Sequence, residues 1–303
     1  MTNKISLIGR AGVGKTSILK LLFEGGNPHE LLNSPLAPTR GNMAMRYSWM
    51  DLELSIFDTS GQELSFLLKD EYEQAIVLNK TDIVIYIVDQ PSWIQNSNEI
   101  IEEIKKIFNI LRTLDISLVI LFHKIDLIEK IGNNLQLMKS GLRSKLNLPG
   151  SVSLYFTSIH PDLDFTIFNS FFEILSRLSS VSIDLKEIID KIIKDQPKMI
   201  CFITNDENYI IVQSMTGDFN TDLIYKVHIA IRYYVNSIDV KGDFQQDIKS
   251  IGSGVEILKL IVCNLIKVDP YLKSLVIFSE NQNIDELIKF KDNLKNKIEN
   301  YYK

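Results

Sequence analysis

The chain is poor in cysteine, proline and glycine. Its 303 residues include only 2 cysteines, 8 prolines and 14 glycines. Cys201 and Cys263 lie far apart without the spacing of a zinc site, so we expect both to be buried apolar residues in a reducing compartment rather than disulfide partners. The scarcity of Pro and Gly, together with 45% hydrophobic residues, indicates a globular protein long enough for two domains.

The sequence also lacks a long apolar run and an excess of positive charge. No stretch reaches the ~18 apolar residues of a membrane span. Position 2 is Thr, and the C-terminal Tyr-Tyr-Lys is no prenylation signal. The formal net charge of −5 gives no electrostatic reason for nucleic-acid binding. We therefore expect a cytoplasmic protein without nucleic-acid partners or a direct membrane anchor, which would reach a membrane only through a partner.

The most informative segment present reads Gly-Arg-Ala-Gly-Val-Gly-Lys-Thr-Ser and covers residues 9–17, between a predicted strand and a predicted helix. This is the spacing of a phosphate-binding loop, whose backbone N–H groups face a β-phosphate at a helix N-terminus. Lys15 adds a cation for the β- and γ-phosphates, and Thr16 offers a hydroxyl to Mg²⁺. The predicted nucleotide-binding residues of the loop are Gly9, Ala11, Gly12, Val13, Gly14, Lys15, Thr16 and Ser17.

Apolar periodicity predicts the element order of a doubly wound sheet. Two runs alternate as a hairpin, two later runs are apolar on both faces as in buried parallel strands, and two segments have helical spacing. The alternating runs are residues 43–49 and 52–57, the runs apolar on both faces are residues 82–88 and 116–122, and the segments with helical spacing are residues 99–111 and 165–178. The pattern predicts an α/β domain with a mostly parallel six-stranded sheet and a ligand at the carboxyl ends of its strands.

Residues suited to magnesium and γ-phosphate chemistry accompany the predicted hairpin. Asp58 ends it and would hold Mg²⁺ through water, Gly61 leaves a backbone N–H open to the γ-phosphate, and Gln62 would orient the attacking water. Thr39 precedes the hairpin in a turn-rich stretch, where it reaches Mg²⁺ only while the γ-phosphate holds the loop, as a switch requires. The predicted catalytic residues are Gln62, Lys15 and Thr39, and the predicted metal ligands are Thr16, Thr39 and Asp58.

The ends of the next two strands carry residues that suit a guanine base. In His123-Lys124-Ile125-Asp126, the carboxylate can accept hydrogen bonds from guanine N1–H and the 2-amino group, a donor pair that adenine lacks. Thr157-Ser158-Ile159 would place backbone N–H groups near guanine O6. The predicted base-binding residues are His123, Lys124, Asp126, Ser158 and Ile159, and the predicted ligands are GTP or GDP with Mg²⁺.

These motifs resemble those of a Ras-superfamily small GTPase, and within it the Rag/Gtr branch. His123 replaces the Asn usual in the guanine motif, as in Rag proteins, and the turn at residues 157–159 matches theirs. Residues 72–80 resemble the extended second switch of that branch. Pro38-Thr39-x-Gly41 is instead closer to the first switch of Arf-like GTPases. The similarity predicts a GTPase domain, P-loop NTPase in fold, over residues 1–180.

The resemblance implies a GTP/GDP switch that hydrolyses GTP slowly and controls partner binding. Ala11 stands where many relatives carry Gly, and its methyl lies near the place that Gln62 and an incoming catalytic group must share. No arginine precedes Thr39 as an internal finger; Arg40 follows it, and Arg10 should point away from the phosphates. Because a finger contributes on the order of 10³ to 10⁵ in rate, we expect dependence on an activating protein, alongside an exchange protein.

A polar stretch at residues 180–183 predicts a junction, after which the nucleotide motifs stop. The later segments predict the order α-β-β-α-β-β-β-α and one antiparallel five-stranded sheet with helices on one side. This order resembles the roadblock/longin-type α+β domain that follows the GTPase domain in Rag/Gtr proteins. The resemblance implies a homodimer or a heterodimer with a related GTPase through residues 183–303, with Tyr233-Tyr234 as interface anchors or as ordinary core.

Three alternatives remain open from the residues. His123 either faces the base or contacts only protein, and in both cases guanine selectivity rests mainly on Asp126. A scaffold that binds nucleotide with little or no hydrolysis competes with the switch; Thr39 and Gln62 argue against the scaffold, and Ala11 argues for it. An ATPase would require Asp126 to be irrelevant to base choice.

Overall fold

The structure is a computed structural model that describes residues 2–34, 36–37, 41, 43–60, 64–128, 131–147, 149–205, 209–217, 244–251, 255–265, 268–269, 271–280 and 283–303. The chain divides into two compact units, Met1–Ser170 and Phe171–Lys303. The division lies within the helix Phe165–Ser176.

The first unit alternates strands and helices. Its strands are β1 (Thr2–Ile8), β2 (Met43–Trp49), β3 (Leu52–Asp58), β4 (Ile83–Asp89), β5 (Ser117–His123) and β6 (Ser153–Thr157). Its helices are α1 (Lys15–Phe23), α2 (Pro28–Asn33), α3 (Leu64–Leu67), α4 (Glu71–Leu78), α5 (Gln90–Thr113) and α6 (Ile131–Leu146), and α7 (Phe165–Ser176) follows β6. A short 3₁₀ helix, Ile125–Leu127, follows β5.

The six strands form one sheet in the order β2-β3-β1-β4-β5-β6. Only the β2–β3 pair is antiparallel, and the four other pairs are parallel. Every residue of β4 is buried, as its apolar sequence on both faces predicts, and α5 packs against β4 and β5. The predicted six-stranded, mostly parallel sheet is confirmed, and the carboxyl ends of β1, β4, β5 and β6 lie at one edge.

The second unit is built on an antiparallel sheet. Its elements are α8 (Ser180–Ile193), β7 (Met199–Thr204), β8 (Ile210–Thr216), β9 (Phe244–Ile251), β10 (Val255–Asn264), β11 (Ser274–Glu280) and α9 (Ile284–Tyr301). The strand order is β8-β7-β11-β10-β9, and each neighbouring pair is antiparallel. The predicted antiparallel five-stranded sheet is therefore observed. The helix predicted at residues 221–236, with Tyr233 and Tyr234, lies outside the described residues.

Two helices begin earlier than the periodicity predicts, because polar side chains cap them. Ser179 accepts the N–H of Ser182 at 3.1 Å, so the polar stretch expected to be a junction forms the first turn of α8. Asp89 accepts the N–H of Ser92 at 3.1 Å and starts α5 at Gln90. Asn96 has non-helical angles of φ −138° and ψ 34° inside α5, so the helix is kinked there, within the polar residues 95–99 that interrupt the apolar spacing.

The described residues include no helix with both the length and the apolar character that crossing a bilayer requires. Cys201 and Cys263 are buried on β7 and β10. Burial raises the pKa of the Cys201 thiol, which keeps it protonated. The interpretation of both cysteines as buried apolar residues is confirmed.

Candidate functional site

The turn between β1 and α1 has a backbone that glycine alone adopts without strain. Gly9 has φ +151°, and a Cβ there would lie 2.4 Å from the Ile87 carbonyl oxygen at the end of β4. Gly12 and Gly14 have φ values of +77° and +102°. Val13 is buried, which holds the turn against the protein interior. The loop therefore packs against the edge of the sheet, and Gly14 is the N-cap of α1.

Lys15 is the first residue of α1 and is buried at 6% exposure. Its ammonium donates to the carbonyl oxygens of Gly9 at 2.8 Å and Arg10 at 3.0 Å. Burial lowers the pKa of Lys15 to about 8, although the Asp58 carboxylate acts in the opposite direction. The loop thus encloses a cation whose desolvation is only partly offset, which is the electrostatic condition that favours a bound polyanion.

The two described residues predicted as metal ligands meet beside this cation. Thr16 Oγ1 donates a 2.6 Å hydrogen bond to Asp58 Oδ2. Asp58 is 1% exposed, ends β3 and pairs with Leu7 across the parallel β1–β3 ladder. A hydroxyl and a carboxylate are the hard oxygen donors that Mg²⁺ takes along with phosphate oxygens and water. The residues present therefore fit a magnesium ion.

Lys124 joins the end of β5 to the phosphate loop. It adopts left-handed angles of φ 59° and ψ 43°, and its ammonium donates to the Gly12 carbonyl oxygen at 2.7 Å. The same ammonium pairs with Asp89 Oδ2 at 2.6 Å. The Lys124 and Ser92 hydrogen bonds lower the pKa of Asp89 against the opposing effect of its burial, so the carboxylate stays ionised. One lysine thus ties together β4, β5 and the loop.

Asp126 and Ser158 meet across the β5 and β6 ends. The Ser158 hydroxyl donates a short hydrogen bond to Asp126 Oδ1 and accepts the His160 N–H at 2.9 Å. The Ser158 N–H donates to Thr166 Oγ1 at 3.0 Å, so in this structure that amide is directed into the protein rather than toward a base. Ile159 is buried at 7% exposure. These contacts orient the Asp126 carboxylate at the edge of the sheet.

His123 is enclosed by protein. It is 1% exposed, and its Nδ1 lies 3.0 Å from Thr157 Oγ1. The ring lies so near the phosphate loop that a Cβ on Gly14 would stand 3.1 Å from His123 Nε2. Burial, assisted by the Lys124 charge, lowers the pKa of His123 to about 4. In this structure His123 is therefore a neutral side chain that lies between Thr157 and Gly14, and its contact with a base stays a prediction.

We expect His123→Asn to reduce the acid sensitivity of the fold. The folded pKa of about 4 lies below the ordinary 6.5, so the unfolded chain binds the extra proton and stability is lost as pH falls from 6.5 toward 4. Between pH 7 and pH 5 this loss is about 2 kcal/mol. Urea unfolding at both pH values should show a smaller pH difference in the variant. His29→Asn, at an exposed helical position, should behave as wild type, and an equal pH effect in His123→Asn would contradict the assignment.

The remaining predicted residues fall into two groups. Ala11 is exposed on the loop, and Ser17 is half-buried in α1. Thr39, Gly61 and Gln62 lie outside the described residues, so their roles stay predictions.

Two contacts of the site were not anticipated. Asp89 holds Lys124, and Arg10 contacts α5 through Glu103, with Nη2 2.7 Å from Glu103 Oε1. The second contact agrees with the expectation that Arg10 points away from the phosphates. Asp89 could have been found by the reasoning applied to Asp58, because it is also a carboxylate at the end of a buried strand.

Comparison with known proteins assigns the family. The description "Gtr1/RagA G protein conserved region" matches residues 4–228 of this chain. GTPase Der of Clostridium perfringens strain SM101 is 24% identical over 163 residues, which cover 52% of this chain and 35% of that protein. GTPase Der of Finegoldia magna is 25% identical over 163 residues with the same coverage, 52% and 35%. The chain thus spans about a third of the length of these relatives. Since the first match covers most of the chain, the predicted Rag/Gtr resemblance is confirmed, and the chain belongs to the Gtr1/RagA G protein family.

Proposed function

We propose that the protein is a guanine-nucleotide switch that binds GTP and GDP with Mg²⁺, hydrolyses GTP slowly and thereby changes its affinity for partners. The 2.6 Å hydrogen bond between Thr16 and Asp58, beside the buried Lys15 ammonium, carries this proposal. This contact supports the proposal because two side chains suited to Mg²⁺ lie beside a cation suited to phosphates, at the sheet edge where Asp126 also lies. Family membership supports the same function.

The backbone of the loop, the side chains of Lys15 and Thr16, and Asp58 would have different parts in binding the phosphates and the metal. The N–H groups of the turn and of the first turn of α1 would donate to the β-phosphate, and the Lys15 ammonium would contact phosphate oxygens while it keeps its carbonyl acceptors. Thr16 would ligate the metal directly, and Asp58 would hold it through water. Mg²⁺, when bound, neutralises charge on the β- and γ-phosphate oxygens.

Thr39, Gly61 and Gln62 would complete the site when GTP is bound. The Thr39 hydroxyl and the Gly61 N–H would be held by the metal and the γ-phosphate, and both loops would relax after hydrolysis. Gln62 would orient the attacking water. Arg10 is paired with acidic residues of α5, so it does not act as a finger, and an activating protein would supply the missing cation.

Base selection would rest on Asp126. The Ser158 hydroxyl orients this carboxylate, so that its two oxygens can accept the guanine N1–H and 2-amino donors. The contact to guanine O6 would come from the backbone around Ile159, since the Ser158 N–H is already bonded to Thr166. Lys124 would flank the base while holding Gly12, and His123 would contribute by bracing Gly14.

The proposed organisation has a GTPase domain at residues 1–180 and a roadblock/longin-like domain at residues 183–303. The antiparallel order β8-β7-β11-β10-β9 supports the second assignment. Through that domain the chain would form a homodimer or pair with a related GTPase, in the cytoplasm, with recruitment to a membrane only through a partner. An activating and an exchange protein complete the proposed partners.

A titration of the purified chain with fluorescently labelled GTP, GDP and ATP, with and without Mg²⁺, tests the proposal. We expect tight guanine-nucleotide binding that weakens when Mg²⁺ is chelated, and weak ATP binding. Light scattering on the same sample reports whether the chain dimerises. Equal affinity for GTP and ATP would contradict the proposed base contacts, and absence of any nucleotide binding would overturn the function.

We expect Gln62→Leu to slow GTP hydrolysis without weakening GTP binding. Leucine cannot orient the attacking water, and Gln62 is proposed to act after nucleotide has bound. Single-turnover release of phosphate should fall at least tenfold, on the order of what loss of a positioned polar catalyst produces. Gln95→Leu, at an exposed position of α5, is the matched control and should hydrolyse as wild type. Equal rates for Gln62→Leu and wild type would favour the nucleotide-binding scaffold.

A further inference from the structure

Arg10 is clamped by the helix that follows β4. Its Nε lies 3.2 and 3.1 Å from the two Glu103 oxygens, and its Nη2 lies 2.7 Å from Glu103 Oε1 and 3.0 Å from Glu99 Oε2. Glu103 also accepts a 2.9 Å hydrogen bond from the hydroxyl of Tyr86, which is 1% exposed. Such a forked, charge-assisted contact restricts the guanidinium more than a single surface ion pair does.

The same arginine holds the phosphate-binding lysine through its backbone. Lys15 donates to the carbonyl oxygens of Gly9 and Arg10 and has an exposure of only 6%. Gly9 is positioned by its close approach to Ile87, whereas Ala11 and Gly12, which follow Arg10, are exposed. Arg10 is therefore the point at which α5 can act on the orientation of the loop.

We infer that Glu103 is a positioning residue of the nucleotide site: it fixes Arg10, and the Arg10 backbone in turn fixes the Lys15 ammonium where the phosphates bind. The inference rests on the proposed nucleotide binding and adds a residue of α5 to that site. A preformed loop loses less conformational freedom when nucleotide binds, so the anchor slows nucleotide release.

The charges of Arg10 and Glu103 predict that removing one or the other will change nucleotide release to different extents. Removal of Glu103 takes away the anchor of Arg10 but leaves no uncompensated carboxylate of Glu103 beside the loop. With Arg10 removed, Glu103 remains anchored by Tyr86, with its side chain 20% exposed, as an uncompensated carboxylate beside an anion-binding loop. Loss of Arg10 alone should therefore be worse than loss of both.

The test is the release rate of labelled GDP from the full chain with Mg²⁺, together with the thermal midpoint of the nucleotide-free protein. We expect Glu103→Ala to release GDP on the order of tenfold faster. Arg10→Ala should release it faster still, and the double variant should match Glu103→Ala. Glu103→Gln keeps the hydrogen-bonding shape and should retain most of the wild-type rate. Glu102→Ala, on the same helix with a side chain 63% exposed, is the matched control.

Faster release at an unchanged thermal midpoint supports positioning, because a purely structural role would lower the thermal midpoint as well. Release from Glu103→Ala within twofold of wild type overturns the inference, as does a double variant whose effect is the product of the two single effects. Both outcomes leave the proposed function standing, since it fails only if the wild-type chain binds no guanine nucleotide.

Discussion

Asp126→Asn is expected to move the preference of the protein from guanine to xanthine nucleotides. Asparagine keeps a carbonyl oxygen that can accept the purine N1–H but places an amide donor opposite C2, so it clashes electrostatically with the guanine 2-amino group and suits the C2 carbonyl of xanthine. Affinity for GTP should fall about 10³-fold, because a site built to accept hydrogen bonds leaves buried polar groups unpaired with the wrong ligand. Competition titrations with GTP and xanthosine triphosphate measure the change.

This exchange should leave the fold intact, which makes the result interpretable. The asparagine carbonyl can still accept the hydroxyl hydrogen bond of Ser158, so the link between the β5 and β6 ends persists. Asp162→Asn, whose side chain is 84% exposed, is the matched control and should bind GTP as wild type. Unchanged GTP affinity in Asp126→Asn would remove Asp126 from the base site and reopen the ATPase alternative.

Lys15→Met should abolish measurable nucleotide binding while leaving the nucleotide-free fold as stable as wild type or more so. The ammonium would contact the β- and γ-phosphates in a water-poor site, and its loss should weaken GTP and GDP binding at least about 10³-fold. Burial lowers the pKa of Lys15 to about 8, so at neutral pH the folded protein carries the penalty of a buried charge. Methionine has a similar shape and removes that penalty together with the two carbonyl hydrogen bonds.

Two measurements separate binding from stability here. Calorimetric titration with GDP should show no heat of binding in Lys15→Met, and urea unfolding without nucleotide should give a midpoint at or above that of wild type. Lys20→Met, later in α1, should bind GDP normally. A variant that loses stability and nucleotide binding together would indicate that Lys15 supports the loop rather than the phosphates.

Much of the fold was predictable, because its signals are local. Strands β4 and β5 are continuous apolar runs, the β2–β3 hairpin alternates, and the glycines of the phosphate loop mark where a tight turn must form. The start of α5 is not evident in the sequence because residues 95–99 are all polar and interrupt the apolar spacing. The helical first turn of α8 is not evident in the sequence, because capping serines and loop serines have the same composition.

The local motifs of the candidate site were likewise predictable from the sequence, whereas its long-range contacts were not. The spacing of residues 9–17 and the position of Asp58, Lys124 and Asp126 at strand ends were sufficient to predict which groups gather at one edge of the sheet, since parallel strands end at one edge. The contacts that hold those groups join residues distant in sequence: 35 positions for Lys124 with Asp89, 93 for Arg10 with Glu103 and 112 for Lys124 with Gly12. Such pairings follow from strand order and side-chain direction in the folded chain, which no local pattern encodes, and therefore required the three-dimensional structure.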